Sequence, residues 1–334
     1  MKFLDLFAGI GGFRSGMEKA GHTCVGYVEI DKFARQSYEA MYITKGLFSK
    51  NDIRTVRASE VPKADIWCFG FPCQDISVAG KQKGFAGARS SLFFATTRLI
   101  RDLKEEDKPS YLLIENVKNL LSINGGFDFL KFQIELDEIG YDCEWDVLDT
   151  AEVLPQHRER VYIVGHFRGR GTRKIFPIQG ENTKATQPKV RQIGNVSNSQ
   201  SFNGNPQVGR VYDIRGISPT LNTMQGGGRE PKIAIPVLTP ERINKRQNGR
   251  RFKENGEPQF TLTAQDRHGV LLSGMRIRKL TPLECWRLQG FTDEQFYRAK
   301  NAGVSDSQLY KQAGNSVSVP VVYQIARRMK NERN

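Results

Sequence analysis

A cysteine stands directly after a short apolar run, between a proline and a glutamine. The run is ADIWCFG, and the thiol is Cys73 in the stretch GFPCQDIS at residues 70–77. A thiol that only fills space is expected inside such a run, as with Cys68, because a free cysteine packs as a small hydrophobe. Cys73 lies past the run, at the mouth of a predicted strand. Taken alone, it is equally compatible with a reactive thiol and with a packed loop cysteine.

A carboxylate and a glycine-rich turn hold equivalent positions after other apolar runs. Glu115 follows YLLI, and FAGIGG at residues 7–12 follows the first run and opens a helix. Glu29 ends the second run about 20 residues later, where an acid can hold the two hydroxyls of a ribose. Arg14 replaces the third glycine of a dinucleotide fingerprint, which weakens a nicotinamide interpretation. These residues indicate an adenosine-containing ligand, with a tight turn and a surface glutamate as the structural alternative.

Strands alternate with helices over residues 1–165. The runs FLDLF, TCVGYVE, DIWCFG, YLLIENV, YDCEWDVLD and VYIVG predict strands, and GFRSGMEKAG, DKFARQSYEAMY, SLFFATTRLIRDL and FLKFQIELDEIG have helical spacing. This alternation predicts an α/β fold with a doubly wound, mostly parallel sheet. Ligands bind such sheets at the carboxyl ends of the strands. We therefore expect Cys73, Glu115 and the FAGIGG turn to face one cleft.

The basic charge is concentrated in one segment. The 334 residues carry 50 Lys and Arg against 36 Asp and Glu, a formal charge of +14. Residues 166–280 hold 21 of the basic and seven of the acidic side chains, which accounts for the whole excess. Charge segregated in this way is typical of a polyanion-binding face, and nucleic acid is favoured over a merely solvated basic surface. Residues 166–275 are also rich in Gly, Asn, Gln and Thr, which predicts a second, smaller, loop-rich β domain.

The remaining residues, 276–334, are expected to form a hinge and C-terminal helices that return to the large domain. Thr281 and Pro282 predict a helix start there.

Five cysteines without a C-x-x-C pair give no sign of a metal site. No run approaches the ~20 apolar residues of a membrane span, and Asp5 interrupts the apolar start. We expect a cytoplasmic protein that is monomeric, since its length supports a core without a dimer.

Six motifs, in this order, resemble those of the DNA (cytosine-5) methyltransferases. They are DLFAGIGGFRSG, the PCQ of GFPCQDISVAGKQKGF, ENV at 115–117, QHRER at 156–160, RKLTPLECWRLQGF, and GNSV at 314–317. The resemblance covers the chain apart from about 170–260. It implies an S-adenosylmethionine-dependent methyltransferase fold of prokaryotic or phage type. The implied reaction methylates carbon 5 of a cytosine flipped out of double-stranded DNA and releases S-adenosylhomocysteine.

The resemblance also implies roles for individual residues. Cys73 matches the nucleophile that adds to carbon 6 of the ring, Glu115 the acid that contacts N3 and the amino edge, and Arg158 and Arg160 the basic pair that orients the base and the carboxylate. The implied cofactor contacts are Phe7, Ala8, Gly9, Ile10, Gly12, Glu29, Ile30, Asp52, Ile53, Pro72, Leu92, Asn315 and Val317. Ile30 stands where an aromatic residue is common, so adenine stacking becomes an apolar contact.

The implied DNA contacts lie in a glycine-rich loop and in the basic segment. The loop GKQKGFAGAR suits closure over DNA, with a flexible surface loop as the alternative; Thr261, Leu262 and Ala264 fit the Thr-Leu-x-Ala signature of a target recognition domain. The candidate DNA-binding residues are Gln74, Ser77, Lys81, Lys83, Arg89, Arg229, Thr261 and Arg267. Base reading in the major groove and phosphate attraction are the expected tasks of this domain.

Three other functions are alternatives to this one. A tRNA cytosine-5 methyltransferase has a similar motif set but a much smaller recognition segment than the 110 residues from 166 to 275. A catalytically silent DNA-binding regulator is disfavoured because Cys73, Glu115 and Arg160 are intact. A zinc deaminase is disfavoured because PCQD has no P-C-x-x-C pair. The sequence specifies neither the bases around the target nor whether a cognate restriction endonuclease exists.

Overall fold

Seven strands form the main sheet of the protein. The computed structural model describes residues 1–71, 91–178, 189–197, 205–213, 216–223, 230–236 and 275–330. The strands are β1 (Lys2–Leu6), β2 (Thr23–Val28), β3 (Phe48–Lys50), β4 (Ile66–Phe69), β5 (Tyr111–Val117), β6 (Tyr141–Asp149) and β7 (Glu159–Phe167), in the order β3-β2-β1-β4-β5-β7-β6. Strands β1 to β5 are parallel, and β7 is antiparallel to both neighbours. The predicted doubly wound, mostly parallel sheet is confirmed.

Helices cover both faces of this sheet because its central strands, β1, β4 and β5, are buried on both sides. The first four helices are α1 (Gly12–Lys19), α2 (Lys32–Met41), α3 (Ser91–Asp102) and α4 (Phe127–Glu138). Leu4 and Leu6 of β1 share one core with residues of α3 and α4. Phe3 points to the other face and shares a core with Phe13 of α1. Only β3 among these strands was not predicted, since it is short and half-exposed.

The C-terminal helices are α5 (Pro282–Leu288), α6 (Asp293–Asn301), α7 (Asp306–Asn315) and α8 (Val319–Ala326). Helix α5 begins as predicted, with Thr281 and Glu284 forming a reciprocal capping box. The apolar helix α8 packs on α1, where a Cβ atom at Gly16 would lie only 2.5 Å from Val322 Cγ1. This helix therefore joins the core of the main sheet.

A second, four-stranded sheet is built mainly from the basic segment. It contains β8 (Gln192–Asn195), β9 (Arg210–Tyr212), β10 (Lys232–Pro236) and β11 (Met275–Lys279), in the order β11-β10-β9-β8. Its strands are short, in keeping with the loop-rich composition. Within the ranges given above, no helix has the length and apolar character needed to cross a membrane.

Candidate active site

The glycine-rich turn joins β1 to α1 through backbone conformations that favour glycine. Gly9 and Gly11 have φ angles of 55° and 80°, and Phe7 has a φ angle of 52°. The Ala8 amide donates to Val28 O at 3.0 Å, and the Gly11 amide closes the turn on Ala8 O at 2.7 Å. The turn is thus bonded to the end of β2. No atom lies within 4 Å of the position of a Cβ on Gly9, so this part of the turn faces open space.

Glu29 connects the end of β2 to this turn. Its carboxylate accepts a hydrogen bond from Gly9 N at 2.7 Å and another from Asp31 N at 2.7 Å. The residue is only 9% exposed. Burial raises the pKa of Glu29, and the two backbone N–H groups act against that rise. The glutamate and the glycine-rich turn therefore form one unit, as their spacing predicts.

Four other candidates for cofactor contact fall into two groups, exposed or packed on the turn and buried in the core. Ile30 is 63% exposed beside Glu29, and Val317 packs so closely on the turn that a Cβ at Gly12 would lie 2.7 Å from its Cγ2. Ile10 and Ile53 are instead buried in hydrophobic cores. For these two residues only the backbone can face a ligand.

Three further candidates are exposed or only partly buried. Asp52 is ion-paired with Arg54 at 2.6 Å and caps the short turn that follows it. Leu92 packs partly against the core below α3, and Asn315 is exposed at the end of α7. Because the Asp52 carboxylate already has a cationic partner, a ligand would share it rather than find it free.

Glu115 and Arg160 form an ion pair at the end of β5. Arg160 Nε lies 3.2 Å from Glu115 Oε1, and both side chains are largely buried. The antiparallel register of β5 and β7 pairs Glu115 with Tyr162 and Val117 with Arg160, which brings the two charged residues to one face. A Cβ at Gly70 would lie 3.2 Å from Glu115 Oε2. The carboxylate thus lies against the chain three residues before Cys73.

Arg158 does not share this arrangement, although the sequence pairs it with Arg160. It is buried, and its guanidinium donates to Leu221 O at 3.1 Å, Gly314 O at 3.3 Å and Ser316 O at 2.9 Å. These carbonyls belong to two segments far away in the sequence. Arg158 therefore holds backbone together, while Arg160 contacts the carboxylate.

Two residues beside the contacts of Arg158, Gln156 and Gly314, were not among the predicted site residues. The fully buried Gln156 side chain donates to Leu288 O at 2.8 Å and accepts from Leu221 N at 3.0 Å. At Gly314, a Cβ would lie 2.0 Å from Asn222 O, so only glycine fits there. The glutamine of QHRER and the glycine of GNSV were visible in the sequence, but only tertiary contacts give them this task.

Several predicted residues lie outside the described part of the chain. They are Pro72, Cys73, Gln74, Ser77, Lys81, Lys83, Arg89, Arg229, Thr261 and Arg267. Their roles stay predictions. The absence of a metal also stays a prediction, although no group of three His, Cys, Asp or Glu side chains in the described ranges could hold an ion.

Comparisons with known proteins find similarity over nearly the whole chain. The model of the family described as C-5 cytosine-specific DNA methylase matches residues 1–331. The orphan methyltransferase M.SPBetaI of Bacillus phage SPbeta is 34% identical, with 97% of this chain and 96% of that protein covered. The type II methyltransferase M.HhaI of Haemophilus parahaemolyticus is 31% identical, with 98% and 93% covered.

A solved structure supports the same fold at lower sequence identity. The S. pombe Dnmt2 methyltransferase superposes with a TM-score of 0.67 at 19% identity and covers 98% of both chains. Use of S-adenosylmethionine and of a DNA substrate is implied by the family. This chain therefore belongs to the C-5 cytosine-specific DNA methylases and is a DNA (cytosine-5-)-methyltransferase.

Proposed function

We propose that this enzyme methylates carbon 5 of cytosine at one specific sequence of double-stranded DNA, with Cys73 as its covalent nucleophile. The observation that carries the proposal is the Glu115–Arg160 pair, which lies at the carboxyl end of β5 and against Gly70. Gly70 is three residues from Cys73. A base placed at this edge of the sheet would meet a carboxylate, a guanidinium and a thiol.

Each of these groups has a defined task in the proposed reaction. The Cys73 thiolate forms a bond to carbon 6, and the electrons of the 5,6 double bond move so that carbon 5 becomes nucleophilic. Glu115 shares a proton with N3, which draws electrons away from carbon 6 as the thiolate adds. Once carbon 5 carries the methyl group, loss of its proton restores the double bond and expels the thiolate. Arg160 fixes the Glu115 carboxylate and contributes positive charge that favours the thiolate.

The cofactor is proposed to bind along the glycine-rich turn. Gly9 offers an open backbone surface, Glu29 is placed to accept from ribose hydroxyls, and the exposed Ile30 offers an apolar contact for adenine. When bound there, S-adenosylmethionine supplies the methyl group. Val317, packed on Gly12, would close the far side of this site. The remaining candidates are proposed as backbone or peripheral contacts.

Arg158 is proposed as a positioning residue rather than a group that touches the base. Its three carbonyl partners lie in 216–223 and in the segment 314–316. The first segment belongs to the proposed recognition domain, 166–275, and the second to the proposed C-terminal part, 276–334. The catalytic domain is proposed to span 1–165. Arg158 would then fix the recognition domain relative to the catalytic cleft.

DNA binding is proposed to use the basic segment and the loop that follows Cys73. The 21 basic side chains of 166–280 supply phosphate attraction, so affinity for DNA should fall with salt by about 0.9 in log K per phosphate contact per log unit of salt. We propose a monomeric, cytoplasmic enzyme. The chain is similar both to an orphan phage methyltransferase and to a type II methyltransferase, so the enzyme acts either without a restriction endonuclease or together with a cognate one.

Bisulfite sequencing of DNA from cells that express the chain tests the proposal. We expect one short motif to be methylated, and Cys73→Ser in the same vector should give the background pattern. A matched assay on tRNA from the same cells tests the rival substrate. Methylation confined to tRNA, or methylation of DNA cytosines without a common motif, would contradict the proposed specificity.

A further inference from the structure

Tyr42, the residue after α2, reaches the glycine-rich turn with its hydroxyl group. The hydroxyl donates to Gly11 O at 2.9 Å, and it lies 2.6 Å from Ser15 Oγ in α1. Ile10 O is a more distant partner at 3.4 Å. A hydroxyl has one proton, so donation to Gly11 O leaves its lone pairs for donors from other segments. The turn and the first helical turn of α1 are thus tied to the end of α2 through a single atom.

The ring of Tyr42 is as closely fitted as its hydroxyl. A Cβ at Gly11, where φ is 80°, would lie 2.5 Å from Tyr42 Cε2. On the ring, the Arg14 guanidinium lies with its Cζ 4.5 Å from the centroid, and its Nη2 donates to Ile43 O at 3.0 Å. Arg14 is the residue that replaces the third glycine of the dinucleotide fingerprint. Arg14 holds Tyr42 against the turn through the cation–π contact with its ring and the hydrogen bond to the carbonyl of the next residue, Ile43.

A third segment reaches the same atom from the C-terminal part of the chain. Gln295 of α6 donates from Nε2 to Ser15 Oγ at 2.8 Å and lies 3.4 Å from the Tyr42 hydroxyl. Its own Oε1 accepts from Thr292 N at 3.0 Å, which fixes the amide in the helix cap. The donor that faces Ser15 and Tyr42 is therefore oriented before any ligand arrives.

We infer that Tyr42 is a positioning residue for the cofactor, which holds the glycine-rich turn in its binding shape through Gly11 O. The inference rests on the proposed function, in which S-adenosylmethionine binds along residues 7–12. A preformed turn spares the ligand the cost of ordering the backbone. Loss of the hydroxyl should loosen the turn and weaken cofactor binding. It should leave the Glu115–Arg160 pair unchanged, because none of the contacts of Tyr42 includes either residue.

The test compares Tyr42→Phe with Tyr310→Phe by calorimetric titration of S-adenosylmethionine and by steady-state kinetics. Tyr310 of α7 is a matched control because its hydroxyl also donates to a backbone carbonyl, that of Leu280 between β11 and α5, which is not part of the glycine-rich turn. We expect Tyr42→Phe to weaken cofactor binding by about three- to tenfold, the range for one hydrogen bond. The KM for the cofactor should rise by the same factor while kcat at saturating cofactor stays unchanged. Tyr310→Phe should leave both constants unchanged.

A second variant guards against a general loss of stability. Ser15→Ala removes the hydroxyl between Tyr42 and Gln295 without changing the ring, and it should weaken cofactor binding by a smaller factor. Unchanged affinity in both variants would overturn the inference. So would equal weakening in Tyr42→Phe and Tyr310→Phe, or a fall in kcat as large as the loss of affinity.

The same titration with Glu29→Ala separates this inference from the proposed function. If Glu29→Ala weakens binding and the Tyr42 and Ser15 variants do not, the turn binds the cofactor but Tyr42 does not position it. If none of the three variants changes the affinity, the cofactor does not bind at this turn, and the proposed cofactor site is itself wrong.

Discussion

Two glutamates lie at the same edge of the main sheet, and their partners differ in kind. Glu29 accepts from two neutral backbone amides, those of Gly9 and Asp31, both at 2.7 Å. Glu115 instead faces a cation, with Arg160 Nε at 3.2 Å. Backbone amides hold a carboxylate in a fixed place and lend it no net charge. A guanidinium supplies a fixed positive charge, which stabilises the carboxylate as an anion when a proton leaves it.

This difference separates two tasks at one edge. The end of β2 is built to keep its shape, because the glutamate, the glycine-rich turn and the cap of α2 are bonded to one another. The end of β5 places a charged pair next to the chain that leads to the thiol. We therefore expect changes at β2 to affect binding of the cofactor and changes near β5 to affect the rate of methyl transfer.

The largest expected effect is at the thiol. Cys73→Ser should abolish methyl transfer, because a serine hydroxyl is not an anion at neutral pH, and cofactor affinity should remain as in the wild type. Cys143→Ser is the control, since burial raises the pKa of Cys143 to about 12 and keeps that thiol protonated. The assay is transfer of a labelled methyl group to DNA. Appreciable turnover by Cys73→Ser would remove Cys73 from its role.

The next effect concerns the carboxylate of β5. Glu115→Gln keeps the shape but cannot share a proton with N3, so kcat should fall by about 10²- to 10⁴-fold, the range for general acid–base catalysis. Affinity for S-adenosylmethionine should not change. Glu159→Gln is the matched control, because Glu159 begins the adjacent strand β7 and its side chain makes a surface ion pair with Lys118 at 2.8 Å, with no other side-chain partner among the described residues. Single-turnover rates measure both variants, and an equal loss in the two would contradict the assignment.

A smaller effect is expected at the other glutamate. Glu29→Ala should weaken binding of S-adenosylmethionine by about 1 to 3 kcal/mol, roughly 5- to 150-fold, because it removes a charged acceptor. The methylated sequence and kcat at saturating cofactor should stay the same. Glu138→Ala, on the exposed surface of α4, is the control. If equilibrium titration gave the same dissociation constant for Glu29→Ala as for the wild type, Glu29 would have no part in cofactor binding, and the two strand ends would not differ in the way proposed.

The smallest effect is a dependence of stability on pH. Burial raises the pKa of Glu29 above its usual 4.5, so the folded chain binds a proton there more readily than the unfolded chain does. Glu29 therefore lowers stability as the pH rises from about 4.5 through its folded pKa. Glu29→Gln lacks this loss, so the free energy of unfolding of the wild type relative to that variant should decrease with pH in this window. Urea denaturation at several pH values measures it, and a constant difference would contradict the shift.

The sequence was sufficient for the parts of the molecule that depend on local pattern. Six of the seven strands of the main sheet and its first four helices follow from apolar runs and helical spacing. The unit of Glu29 and the FAGIGG turn follows from spacing alone. Strand β3 was missed because its three residues carry no alternation and are only half buried.

The sequence was not sufficient where distant segments meet. Arg158 and Arg160 lie two residues apart, Arg158 just before β7 and Arg160 within it, and nothing in QHRER distinguishes them. Their difference comes from Leu221 and Ser316, which are 63 and 158 residues away from Arg158 along the chain. Tyr42 and Gln295 were missed for the same reason, since their partners lie 31 and 280 residues away. The short strands of the basic segment could be expected as a class but not located.

The close approach at Gly314 has a consequence for engineering new target specificity. Because Asn222 O would lie 2.0 Å from any Cβ there, the backbone contact between the 216–223 segment and the end of α7 accepts no side chain at position 314. A library that diversifies the residues between 224 and 274 can leave this contact intact, whereas one that also randomises 314 would lose most of its members to misassembly. Residues 224–274 can therefore be varied in the search for new specificity, whereas the glycine at position 314 has to be kept.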